Sequence, residues 1–365
     1  MFDFVQFIVE FIFSALPRLV KDIGKQRGMA SVKEIFGLIT KKKKGNFRLS
    51  GPSWLTAVDW ENSGHRRSVV ASLVQGVYTL ERDRQQNRQG HQSEASPWWN
   101  SFHFQLITQL IDPVDSSIFG AIYQYNPSVC HHRAPKYVIA FRGTLNKLDT
   151  LLRDYKLNIK VFRSKLHLDI RFHRALKDVQ DVIEEVGPDN VWLAGHSLGS
   201  AIALLVGKNM ARLNYPLETY LFNPPFTSFP KLKQGIRIAS SFIKAGIAAV
   251  TGKHQRDDSF FELSNWSPNL FVNRADHICS GYIDYFEHRK KMEEVGAAET
   301  VRRVTQISIV NMIFGKQEKD CEPLHLLPSA YLTVNMIQSP DFKRAHRIQQ
   351  WWDPSFYGQS ELHLL

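Results

Sequence analysis

The stretch Val191-Trp192-Leu193-Ala194-Gly195-His196-Ser197-Leu198-Gly199-Ser200-Ala201-Ile202-Ala203-Leu204-Leu205 decides how this chain is read. A short apolar run ends in Gly-His-Ser-Leu-Gly, and small and aliphatic helix formers follow at once. Strand, sharp turn and helix are the context that a nucleophile elbow requires. A serine at the tip of so tight a turn is forced into a strained backbone conformation, and a side chain at 195 or 199 would collide with the adjoining strand or helix. The hydroxyl is pushed clear of the sheet edge. The amides and positive dipole end of a helix beginning at Leu198 point at the same spot, where an oxyanion would form. Without its flanks Gly-x-Ser-x-Gly is a common turn, so the strand before it and the helix after it carry the reading.

Working outward, Tyr137-Val138-Ile139-Ala140-Phe141-Arg142-Gly143-Thr144 is an apolar run that breaks at Arg-Gly-Thr. It predicts a fully buried strand opening into a loop at its carboxyl end, where ligands bind in an open parallel sheet. Phe172, Leu176, Val179, Val182 and Ile183 space a helix within 168–186, which Gly187-Pro188 ends before the elbow strand. Beyond the elbow, 219–225 reads as the next strand, and Leu270 to Asp276 as another that ends on an acid. Upstream, Val69, Val70, Leu73, Val74, Val77 and Leu80 predict a helix over 67–82 packed on the sheet, followed by a polar loop from Arg82 to Gly90. Phe119 to Tyr125 alternates as a strand closed by Pro127. This alternation of strand and helix predicts an α/β fold with a mostly parallel central sheet and helices on both faces.

A length of 365 residues suits one large α/β domain or two smaller ones, and 43% hydrophobic residues supply an ordinary core. Cys130, Cys279 and Cys321 are too few and too far apart for a disulfide framework, which fits a reducing compartment. No second cluster accompanies Cys130-His131-His132, so no metal is expected. The net charge of +11 is spread over scattered Lys and Arg without a nucleic-acid motif, so an anionic membrane surface is the expected partner rather than nucleic acid. Residues 1–20 are aromatic and apolar, but Asp3, Gln6 and Glu10 interrupt the run before the ~20 residues of a membrane span. With no basic start and no small-residue cleavage site, it does not read as a secretory signal either. An interfacial helix and an amphipathic helix docked on its own domain are the two readings that remain. Residues 1–50, including Lys41 to Lys44, are expected to form an apolar extension and basic linker, and 51–365 the α/β domain. A basic and apolar insertion at about 231–256 reads as a lid, a membrane-touching helix or core. The expected location is cytoplasmic or peripheral to a membrane.

A serine hydroxyl needs a histidine base, itself oriented by a buried carboxylate. In the arrangement that goes with this elbow, the chain order is serine, acid, histidine. Asp276, 79 residues after Ser197 at the end of a predicted strand, is the best placed acid; its alternative role is to cap a turn. His277 is adjacent to it and points elsewhere, while His288 lies in the charged run Glu287 to Lys291, which reads as a solvated helix face. His325 and His346 remain as bases, and spacing does not choose between them.

The set Ala140-Phe141-Arg142-Gly143-Thr144, Gly195-His196-Ser197-Leu198-Gly199 and Asp276 resembles the class 3 lipases, most closely the plant lipase-like α/β-hydrolases filed as GDSL esterase/lipase-like. The resemblance spans about residues 51–353, although no Gly-Asp-Ser-Leu is present. It implies an α/β-hydrolase fold and a serine carboxylic ester hydrolase that acts on acyl lipids without a cofactor. It further implies oxyanion donors at Thr144 and the Leu198 amide. His346 is implied as the base, at the start of a helix His346-Arg347-Ile348-Gln349-Gln350-Trp351, which leaves His325 a structural histidine. The sequence departs from the family pattern at Ser200, where glycine is usual, and at Asn223-Pro224-Pro225, where Gly-x-Pro is usual. The long interval from serine to acid is accounted for by the insertion. A lipase-like scaffold that works by binding partners, and an esterase for small soluble esters, are the rival readings.

Overall fold

Among the described residues, eight segments form one sheet whose strand order follows the chain. They are β1 (Phe104–Ile111), β2 (Ile118–Tyr125), β3 (Tyr137–Phe141), β4 (Val191–His196), β5 (Glu218–Phe222), β6 (Asn269–Asn273), β7 (Ala330–Asn335) and β8 (Gly358–His363). The computed structural model describes residues 51–145, 165–226, 262–294 and 327–364, apart from positions 96, 127, 129, 130 and 132. The chain divides into units Met1–Arg48 and Leu49–Leu365, and the described residues all fall in the second. The expected extension over 1–50, the insertion at about 231–256, Cys130, Cys321 and His325 lie outside the described residues.

Strands β3 to β7 run parallel, while β1 and β2 at one edge and β8 at the other pair antiparallel. β3 and β4 are buried at every position, which is why they read as continuous apolar runs rather than alternating ones. On one face lies α1 (Ser63–Gln85), whose first turn is capped by Asn62 Oδ1 accepting from the Gly64 and His65 amides. An aromatic layer fills the same face. Trp60 meets Trp192 edge-on at 5.9 Å, Trp192 leans on Tyr220 at 5.3 Å, and Phe271 packs against Phe222 at 4.8 Å and Trp351 at 5.4 Å.

The other face carries α2 (Lys165–Val186), α3 (Leu198–Arg212) and α4 (Gly281–Glu294). Their crossovers join successive parallel strands that advance in one direction, and right-handed connections then deliver the helices to a single side. Ile139, Phe141, Leu193, Leu221 and Val272 from the sheet close a core there with Val179, Ile202, Val206, Tyr282 and Phe286. The sheet is therefore mostly parallel and covered on both faces, as the sequence predicts.

The ends of α1 and β6 differ from expectation, while β3 ends where the apolar run breaks at Arg-Gly-Thr. α1 continues to Gln85 into the expected loop, because buried Glu81 accepts from Arg84 Nε and Gln85 Nε2 and ties down the last turn. β3 stops at Phe141, where the Arg142 side chain turns back to donate to the Ile118 carbonyl at 2.6 Å. β6 ends at Asn273, so Asp276 sits in a turn and not on a strand; the Asn273 side chain accepts the Ala275 amide, and the Asp276 amide donates to the Asn273 carbonyl.

Candidate active site

Between β4 and α3 the chain turns at a single residue, Ser197, with φ 54° and ψ −124°. That conformation is costly for any residue with a Cβ and persists because its surroundings enforce it. A Cβ on Gly195 would collide with the Gly199 backbone, and one on Gly199 with the Phe141 carbonyl, so the two glycines are what let strand, elbow and helix approach. The Ser197 amide donates to the Phe222 carbonyl at 3.0 Å. Ser200, one of the two departures from the family pattern, donates its hydroxyl to the same carbonyl at 2.8 Å while buried.

Ser197, His346 and Asp276 come together in one hydrogen-bonded row. Ser197 Oγ lies 3.0 Å from His346 Nε2, and His346 Nδ1 lies 2.8 Å from Asp276 Oδ2. With the carboxylate ionised, Nδ1–H donates to Asp276, which leaves Nε2 to accept the Ser197 proton. Asp276 is fully buried, and burial alone would raise its pKa. The neighbouring His346 and the hydrogen bonds from His346, Asn223 and Cys279 outweigh that effect and hold it below the ordinary carboxylate value.

His346 is the last residue of a short helix, α5 (Phe342–His346), begun by Asp341, whose carboxylate accepts the Arg344 amide at 2.8 Å. The expected helix starting at His346 is thus displaced upstream by this cap, and a 3₁₀ turn over Ile348–Trp352 follows. Phe342 stacks on the His346 ring at 5.4 Å and 11°, which limits its rotation. Of the other histidines, His277 stacks on Phe342 at 4.3 Å and His288 lies within α4.

Sequence reasoning noticed Asn223 only as a departure from a family pattern. The structure gives it a task. Buried, with φ 47°, it donates from Nδ2 to Asp276 Oδ2 at 2.7 Å and to the Ala345 carbonyl at 3.0 Å. Its Oδ1 accepts the Trp351 indole N–H at 2.7 Å. One amide thereby ties the end of β5 to the acid turn and to α5. Its only sequence signal was a polar residue at the carboxyl end of a parallel strand.

The two expected oxyanion donors are the amides of Leu198 and Thr144. Leu198 opens α3, where amides have no partner within the helix. Thr144 is exposed and follows Gly143, which lies so near the elbow that a Cβ on it would stand 2.9 Å from Ser197 Cβ. Arg142 Nη1 donates to the Gly143 carbonyl at 2.7 Å, and its Nη2 is 3.8 Å from Glu81. Because that peptide is trans and planar, holding the carbonyl toward Arg142 aims the Thr144 N–H the opposite way.

His196 is buried beneath this turn, with Nδ1 2.8 Å from Tyr78 Oη and Nε2 2.8 Å from the His346 carbonyl. Burial, reinforced by the His346 charge, pushes its pKa down to about 3. The unfolded chain therefore takes up a proton here that the folded chain refuses, so stability is expected to fall as pH drops from about 6.5. Between pH 7 and pH 4.5, above the range where Asp276 titrates, this ring should cost roughly 2–3 kcal/mol. Urea titrations of the wild type should show that extra pH slope relative to His196→Gln; equal slopes would contradict a buried neutral ring.

Among the described residues no group of three or more His, Cys, Asp or Glu is arranged to hold a metal ion, and no helix is long and apolar enough to cross a membrane. Residues 138–234 match the lipase (class 3) family, a span that contains the Arg142-Gly143-Thr144 turn and Ser197 but ends before Asp276 and His346. Over 336 residues the chain is 47% identical to an Arabidopsis thaliana protein named GDSL esterase/lipase, a match covering 85% of this chain and 95% of that protein. Solved structures similar to part of the chain include a lipase from Rhizopus microsporus var. chinensis, with a TM-score of 0.32 and 18% identity over 62% of this chain and 73% of that one. A fungal esterase from Rhizomucor miehei gives 0.29 and 14% over 53% and 71%.

Proposed function

The chain belongs to the class 3 lipase family of carboxylic ester hydrolases, and from that premise we propose that it cleaves acyl lipids through an acyl-enzyme formed on Ser197. His346 Nε2 takes the Ser197 proton as Oγ attacks the ester carbonyl. The imidazolium that results is stabilised by ionised Asp276 across the Nδ1–H bond. The carbonyl oxygen becomes an oxyanion between the Leu198 and Thr144 amides at the head of α3. As the tetrahedral intermediate collapses, His346 returns the proton to the departing alcohol. Water then repeats the sequence on the acyl-enzyme, releasing the fatty acid and restoring Ser197. The single observation that carries this reading is the row of contacts at 3.0 and 2.8 Å joining Ser197, His346 and Asp276.

An acyl lipid is favoured over a soluble ester by the excess of basic residues, +11, and by the aromatic run at residues 1–20, which suit peripheral contact with an anionic membrane. The test compares hydrolysis of long-chain acyl lipid in mixed vesicles with hydrolysis of p-nitrophenyl butyrate. Cleavage of both supports the proposal; cleavage of the soluble ester alone favours a small-molecule esterase, and of neither a binding scaffold. Deleting residues 1–28 is expected to weaken partitioning onto anionic vesicles while leaving turnover of p-nitrophenyl butyrate intact. Equal partitioning by both proteins would remove the membrane contact from the account.

A further inference from the structure

Helix α1 carries neither Ser197, His346 nor Asp276, yet its Tyr78 bonds both the Gly143 turn and His196 of the elbow. The Gly143 amide donates to Tyr78 Oη at 2.7 Å, and Tyr78 Oη is 2.8 Å from His196 Nδ1. His196 Nε2 in turn is 2.8 Å from the His346 carbonyl. The protons in this row have one consistent arrangement. A backbone N–H only donates, and a carbonyl only accepts. If His196 carried its proton on Nδ1, its bare Nε2 would face the bare carbonyl oxygen of His346. With the proton on Nε2, every contact pairs a donor with an acceptor: Gly143 N–H to Tyr78 Oη, Tyr78 O–H to Nδ1, Nε2–H to the His346 carbonyl. Burial supports this by keeping both groups uncharged, with the Tyr78 phenol pushed up to about 12.

We infer that Tyr78 and His196 are positioning residues that bind the oxyanion turn and the main chain of the base into one frame through this directed row of hydrogen bonds. The inference rests on the proposed function, because it assigns what orients that site. Two consequences follow from it. The Gly143 amide is taken by Tyr78, so the oxyanion donors are Thr144 and Leu198 and not Gly143. The backbone of His346 is pinned from beneath while Phe342 stacks on its ring, so Nε2 faces Ser197 before any ester arrives. His196 thereby acts on the chemistry of Ser197 from the neighbouring position without touching the substrate.

The test uses the full-length protein with Tyr78→Phe, His196→Gln and the double variant. Tyr78→Phe keeps the ring and removes the hydroxyl that joins Gly143 to His196. Turnover of p-nitrophenyl butyrate should fall about 10- to 100-fold, the scale of a small misplacement at a reacting centre. KM should stay within about threefold, since ground-state binding is untouched. Losses in the double variant should fall well short of the product of the single losses, because both changes break one row. A Tyr78→Phe enzyme with kcat within about twofold of wild type, or single losses that multiply, would overturn the inference. A second readout does not depend on activity. In protein carrying ¹⁵N-labelled histidine, His196 should be the Nε2–H tautomer, with that proton slow to exchange in wild type and fast in Tyr78→Phe. An Nδ1–H tautomer would refute the row, whereas an inactive wild type with the Nε2–H tautomer would refute the proposed function alone.

Discussion

Ser197→Ala is expected to lower hydrolysis of p-nitrophenyl butyrate by about 10⁴- to 10⁶-fold, down to the level left by binding and the oxyanion donors. The magnitude follows from losing the group proposed to form the acyl-enzyme. The fold should survive. Ser197 is half-buried at the tip of the turn, and its hydroxyl meets His346 Nε2, while its backbone bonds to Phe222 and Ser200 are independent of the side chain. Alanine has the same Cβ and so faces the same left-handed strain as serine, which keeps the stability change small. Steady-state kinetics on a variant with wild-type circular dichroism reads the effect directly. Hydrolysis within tenfold of wild type would place the chemistry elsewhere.

His346→Ala is expected to match Ser197→Ala, and combining the two should cost little more than either alone, because members of such a set act as a unit. Stability should respond differently. Removing the imidazole takes one donor from the fully buried Asp276 carboxylate and leaves the Asn223, Cys279 and Ile278 donors to hold it. It also removes the ring that Phe342 stacks on. A loss of about 1–3 kcal/mol is the scale for a buried polar group that loses a partner. A well-folded His346→Ala protein that kept near-normal turnover would point to another base, with His325 the first to examine. His325→Ala is expected instead to alter stability more than turnover, since Leu324, Leu326 and Leu327 set it in an apolar stretch.

Sequence carried the centre of the fold because its strands there are buried on both faces. Val191 to His196 and Tyr137 to Phe141 have no exposed position, so they stand out as apolar runs, and Gly195 and Gly199 mark the turn by their fixed spacing. The edges were illegible for the complementary reason. β8 is exposed at every position from Gln359 to Leu362 and carries little apolar signal, and β1 breaks its alternation at exposed Ile107 and Ile111. β7 was missed with them. Its short run is recognisable only once β6 and β8 flank it.

The site divided in the same way. Residues whose type announces chemistry, Ser197, Asp276, His325 and His346, were named as candidates, with Thr144 and Leu198 implied by resemblance. Tyr78, Asn223 and Arg142 were not given roles, because their types fit duller ones. Tyr78 falls on the apolar face of a helix, and its two partners lie 65 and 118 residues away. Asn223 reads in sequence as a departure from the family pattern, and its role lies in the contacts of its amide with Asp276 and Ala345. Contacts at that separation depend on how the sheet is ordered, which local periodicity does not encode.

The central claim is that Ser197 is an activated nucleophile. It is tested most directly by exposing the native protein to a fluorophosphonate and locating the adduct by peptide mass spectrometry. The account predicts about one adduct per chain, on the peptide bearing Ser197, with none formed in Ser197→Ala and labelling slowed at least about 10³-fold in His346→Ala. A folded protein that stays unlabelled, or that carries the adduct on a residue other than Ser197, would contradict it.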